Sequence, residues 1–119
     1  MDPHYDGVIY KTHPAELYRR IQFAHPPFLV IDVRSAAERS KSRIEGSIAL
    51  GASDLAEALP EGSTPGTEFV VVGVDQYDEE IRRAAQSLRA LGALRVVELA
   101  GGMFEWQAER MPLEASADS

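Results

Sequence analysis

The chain has 119 residues, a net charge of −7 and no cysteine, with a sequence pI near 4.9. That length suits one domain with a sizeable core. The acidic balance disfavours nucleic acid and anionic membrane as partners, since both need a concentrated positive face, and the missing thiol excludes disulfides, thiolate zinc sites and thiol nucleophiles.

The apolar runs are too short for a membrane-spanning helix. The start, MDPHYDGVIY, lacks the apolar core of a signal peptide. A cytoplasmic protein with no cofactor is the expectation. Residues 1–119 read as one domain with its core at about 10–114. The polar tail 115–119 is expected to fray.

HPAELYRRIQFAH places Ala15, Leu17, Ile21 and Phe23 at helical spacing, with Tyr18 beside them. Thr12 is the expected N-cap, Pro14 fits the first turn, and Pro26-Pro27 breaks the helix. FLVIDV, 28–33, is a continuous apolar run, as in a strand buried on both faces. SAAERSK reads as a short helix with Ser35 and Glu38 at capping-box spacing. GSIAL is a short strand, and SDLAEALP is a helix expected to be capped by Ser53 and to stop at Pro60.

EFVVVGV is the second strong strand. After it Ile81, Ala84, Ala85, Leu88 and Leu91 mark a helix that Gly92 ends. LRVVEL is a further strand, and GGMFEWQAER opens on two glycines and continues as a helix. Strands alternating with helices argue α/β with a parallel sheet, whose ligands sit at the carboxyl ends of strands. Those ends are Asp32–Ser35, Val74–Glu80 and Ala100–Met103.

The junction after EFVVVGV raises a physical question. A strand-to-helix turn is where N–H groups and the helix dipole gather an anion. Here the loop is Val74, Asp75, Gln76, Tyr77, Asp78, Glu79 and Glu80, with four carboxylates and no glycine. Two unit charges ~4 Å apart repel by about 4 kcal/mol at an effective dielectric of 20, whereas a helix N-terminus contributes about 0.3–1 kcal/mol. The expectation is that Asp75 or Asp78 accepts the orphan N–H groups itself. The rival readings are a negative patch facing a basic partner or a cation, and catalysis by Asp75.

FLVIDVRSAAERSKSRIEGSIAL, with Asp32, Arg34, Glu38, Ile44, Gly46 and Ser47, resembles the opening signature of rhodanese-homology domains. AAQSLRALGALRVVELAGGMFEWQAERMPLE, with Leu88, Gly92, Leu99, Gly101, Gly102, Trp106 and Pro112, is similar to their closing signature. The resemblance implies a three-layer α/β/α fold around a mostly parallel, roughly five-stranded sheet. It also implies a cysteine at the strand end, whose thiolate carries sulfane sulfur inside a loop of N–H groups. That position falls on Asp75, or on Val74 if the alignment slips by one, and Ser42-Arg43 stands where the family has Gly-His.

Persulfide chemistry needs a polarisable thiolate, as do the cysteine phosphatases of the same fold. The expected function is therefore a catalytically inactive rhodanese-like module for interaction or regulation. Its candidate contact loop is Asp75, Gln76, Tyr77, Asp78, Glu79 and Glu80, and its candidate partner a protein with a basic surface. The alternative is a carboxylate-dependent enzyme using Asp75 and Asp32.

The remaining residues read as structural. Asp32 caps the turn after its strand, and Arg34 is expected to pair with Glu38. Gly101 and Gly102 suit close packing or positive φ better than phosphate binding. Met103, Phe104 and Trp106 read as core, against a rival reading of Trp106 as a partner anchor. Arg82, Arg83 and Arg89 read as a solvated face that partly balances the acids. His4, His13 and His25 lack metal-site spacing, so no metal is expected.

Overall fold

A computed structural model describes residues 10–23, 28–64 and 66–114. The elements run β1 (Tyr10–Thr12), α1 (Pro14–Phe23), β2 (Phe28–Asp32), α2 (Ala36–Lys41), β3 (Ile48–Ala49), α3 (Ala52–Leu55), β4 (Glu68–Val72), α4 (Glu79–Ala90), β5 (Arg95–Leu99) and α5 (Gly102–Ala108). The sheet has five strands in the order β1-β5-β4-β2-β3, and every pairing is parallel. The chain is an α/β fold with a five-stranded parallel sheet and five helices among the described residues.

The strongest apolar runs take the centre. Every residue of β4 is buried, because β2 and β5 flank it and helices cover both of its faces. Alternate side chains feed two cores. Phe69 and Val71 pack with Leu55 of α3 and with Ile81, Ala84, Ala85 and Leu88 of α4. Val70 and Val72 pack with Leu17 of α1 and with Met103 and Trp106 of α5. Trp106 meets Tyr18 edge-on at 6.5 Å between centroids and donates its Nε1–H to the Pro112 carbonyl at 2.9 Å.

Local signals explain several boundaries. Ser35 caps α2: the Glu38 N–H donates to its hydroxyl and the Ser35 N–H donates to Glu38 Oε1, closing a capping box. Gly92 ends α4 at φ +95. The Gly92 N–H bonds Arg89 O and the Ala93 N–H bonds Leu88 O, a Schellman closure.

Other expectations are corrected. Thr12 is not the cap of α1 but the buried end of β1. His13 opens the helix instead, its N–H held by Glu16 Oε1 at 3.2 Å. Gly51, not Ser53, precedes α3, and its N–H donates to Asp54 Oδ2 at 2.9 Å. That helix stops at Leu55 rather than at Pro60. On α1, Leu17 is buried, whereas Ala15 and Phe23 are exposed. Phe104 is not core: it is 69% exposed. The break at Pro26-Pro27, the fraying of 115–119, His4 and His25 lie outside the described residues.

No described helix is long and apolar enough to cross a membrane.

Candidate functional site

The carboxyl ends of β2, β4 and β5 bring the three sequence-marked segments to one edge of the sheet. At the end of β2, Asp32 is 1% exposed. Arg34 reaches back over it, with Nε at 3.1 Å from Oδ1 and Nη2 at 2.9 Å from Oδ2. The Arg34 N–H adds a bond to Oδ1 at 3.0 Å, and Nη2 also donates to the Ser42 carbonyl at 2.7 Å. The expected Arg34–Glu38 pair is thus replaced by an Arg34–Asp32 pair, because Glu38 is already engaged with Ser35. A buried, fully engaged carboxylate has no free oxygen for acid–base work, and bidentate geometry of this kind is the strong form of a charge-assisted contact.

The loop after β4 folds back on itself. Gly73 makes this possible, since a Cβ there would lie 2.4 Å from Ile81 and 2.7 Å from Asp78 Oδ2. Asp78 is the N-cap of α4. Its Oδ1 accepts the Glu80 N–H at 3.0 Å, and its Oδ2 accepts the Val74 N–H at 2.9 Å. Asp75 Oδ1 accepts the Tyr77 N–H at 2.9 Å, and the Asp75 carbonyl accepts the Asp78 N–H at 3.2 Å. Four loop N–H groups therefore bond oxygens of the loop itself, three of them carboxylate oxygens. Each such cap contributes about 0.5–2 kcal/mol.

The Gly101-Gly102 turn lies against the same loop. Gly101 has φ +74 and Gly102 φ +60. A Cβ on Gly102 would sit 2.7 Å from Gly73 O and 2.8 Å from Asp75 N. That proximity lets the first N–H groups of α5 reach the loop: Met103 N–H bonds Gly73 O and Phe104 N–H bonds Val74 O, both at 2.9 Å. The donors that a phosphate would need are thus satisfied by backbone carbonyls.

Around this junction the surface is acidic and partly apolar. Tyr77 is 79% exposed and Phe104 69% exposed. They line a hollow of about 220 Å³ with Asp75, Gln76 and Glu105. Glu79 is exposed on the first turn of α4, and Glu80 pairs with Arg83 at 3.0 Å. On the other side of the loop, a larger cleft of about 420 Å³ is lined by Gln76, Tyr77, Glu79 and Arg82, with Lys11 and Glu98 from the sheet. Sequence reasoning missed Lys11 and Glu98. The available signal was a lone charge, Glu98, inside the apolar run of β5.

Residues 13–109 match the rhodanese-like domain family. No curated protein matches the chain. Among solved structures, the Alr3790 protein from Anabaena sp. superposes with a TM-score of 0.78 at 27% identity, covering 89% of this chain and 93% of that one. A full-length protein from Lactobacillus plantarum gives 0.77 at 28% identity, covering 88% and 87%. A rhodanese-related protein from Thermoplasma volcanium gives 0.66 at 26% identity, covering 88% and 97%. With the family match over most of its length and the parallel five-stranded sheet to go with it, the chain belongs to the rhodanese-like domain family, in a form that contains no cysteine.

Proposed function

We propose that this domain is a catalytically inactive rhodanese-like module that binds a protein partner with a basic surface through the loop Asp75–Glu80. One observation carries the reading: where a family member needs a thiolate surrounded by free N–H donors, this loop has no thiol, and Asp75 and Asp78 side chains hold the N–H groups of Val74, Tyr77 and Glu80. Exposed Tyr77, Val74 and Phe104 beside Asp75 and Glu79 combine apolar contact area with negative charge, a composition suited to a basic partner bearing aliphatic or aromatic anchors. The carboxylate-enzyme alternative is weakened by Asp32, whose oxygens are engaged by Arg34 in a buried site.

Two measurements test this. Thiocyanate release from thiosulfate and cyanide should not exceed the protein-free rate. Amide chemical-shift titration with an oligolysine peptide should give salt-sensitive changes confined to residues 74–80 and 104–105. Turnover in the first assay, or shifts scattered over the whole surface in the second, would overturn the reading.

A further inference from the structure

Five polar or charged residues are buried among the described residues: Thr12, Asp32, Arg34, Glu68 and Glu98. Asp32 and Arg34 hold each other. Glu68 is held by Arg20 and by Arg95. The Glu98 side chain, on a residue 9% exposed, has no hydrogen bond or ion pair among the described residues. Its carboxylate is sheltered but opens on the cleft rather than being sealed from water, and a charge so placed without a counter-charge gains from a ligand that supplies one.

Glu98 is on β5, and its register partner on β1 is Lys11. In a parallel pair such partners stand on the same face, here the face on which Val96 packs with α4. Beyond Val96 the α4 cover gives way to the cleft of about 420 Å³, into which Glu98, Lys11 and Arg82 all project. Two of the other charges of that cleft are engaged. Asp78 accepts two loop N–H groups, and Arg83 pairs with Glu80. Exposed Glu79 stands at the rim.

Besides Glu79, what remains is one sheltered carboxylate, Glu98, and two exposed cations, Lys11 and Arg82, none of them ion-paired among the described residues. A bare cation drawn to Glu98 meets the repulsion of Lys11 and Arg82, and a bare anion drawn to those two meets Glu98. A molecule carrying both charges satisfies all three groups.

We propose that this cleft is a binding site for a small amino-acid-type zwitterion, its ammonium on Glu98 and its carboxylate received by Lys11 and Arg82. The amides of Gln76 and Gln86 and the Tyr77 hydroxyl line the same space and supply neutral hydrogen-bonding groups. The charged groups of the site come from β1, β5 and the flank of α4, while Gln76 and Tyr77 are shared with the acidic loop of the partner-binding reading.

The test uses a matched series of probes: glycine, β-alanine and 4-aminobutyrate as zwitterions of increasing length, with butylamine and butyrate as half-ligands. Amide and side-chain chemical shifts of the full chain are the readout. At least one zwitterion should saturate shifts at Lys11, Arg82 and Glu98, with both half-ligands binding about tenfold more weakly. Glu98→Gln and Arg82→Gln should each lose about tenfold in affinity. No saturable binding, binding unchanged in Glu98→Gln, or butylamine binding as tightly as the zwitterions would overturn the proposal. So would a Lys11–Glu98 ion pair formed in the free protein. None of these outcomes depends on the oligolysine or thiosulfate experiments.

Discussion

Two neighbouring strands end in helices at the same edge of the sheet, and each solves the problem of orphan N–H groups differently. Ahead of α4, the donors of the 74–80 loop bond mainly to carboxylates of Asp75 and Asp78. Ahead of α5, the donors of Met103 and Phe104 bond to the carbonyls of Gly73 and Val74. The first arrangement is made by side chains and is open to substitution. The second is made by backbone and depends on the absence of a side chain at Gly102. Rhodanese-like chemistry needs free donors and a thiol, and here the donors of Val74, Tyr77, Asp78 and Glu80 are occupied and the thiol is missing.

The largest effect should come from breaking the backbone arrangement. Gly102→Ala places a Cβ 2.7 Å from Gly73 O at a residue with φ +60. Strain of this kind costs about 1–3 kcal/mol before any clash is counted. The melting temperature should fall by roughly 5–15 °C, taking about 4–8 °C per kcal/mol for a domain near this size. A change within error would mean that α5 does not press on the loop as described.

Asp78→Ala comes next, since it removes both a cap and the tie to Val74. A loss of about 1–2 kcal/mol in denaturant unfolding is expected. Asp78→Asn keeps one acceptor oxygen, so it should recover a good part of that loss. If Asn recovers nothing, the carboxylate acts through its charge rather than through the bonds to Val74 and Glu80.

Asp75→Ala removes a single bond at a half-exposed residue, so about 0.5–1 kcal/mol is expected. Asp75→Cys sharpens the same point chemically. It restores a thiol and leaves Asp78, Glu79 and Glu80 in place, so thiocyanate release should stay at background. Clear turnover would show that a working anion cradle survives beneath the acids.

These contrasts also show what could be read from the chain before its structure. The central strands β2 and β4 were legible because burial on both faces demands unbroken apolar runs. The marginal strand β1 was not: it has three residues, of which Thr12 alone is buried, so its pattern is too short to separate from a helix cap. Aspartate capping at the 74–80 loop was legible in kind, because short acids before a helix accept its first N–H groups. The division of labour between Asp75 and Asp78 depends on how Gly73 folds the loop back, which no local pattern records.

The partner of Arg34 was misassigned for a related reason. Helical spacing favours Glu38, but burial of Asp32 at the end of β2 makes its need for a counter-charge far greater. Phe104 reads as core by composition and is exposed because α5 packs through Met103 and Trp106. Glu98 gave its signal as one charge in an apolar strand, and only the sheet register shows which cations share its cleft.

The most direct test is a titration of the native protein with thiosulfate, followed at the backbone amides of residues 74–80. With Asp75 and Asp78 holding the Val74, Tyr77 and Glu80 donors and their charges repelling an anion, the amides should show no saturable shift, and the Asp75→Asn, Asp78→Asn double variant, which removes two of those charges, should show more response than the native chain. Saturable thiosulfate binding at the native loop would contradict the account.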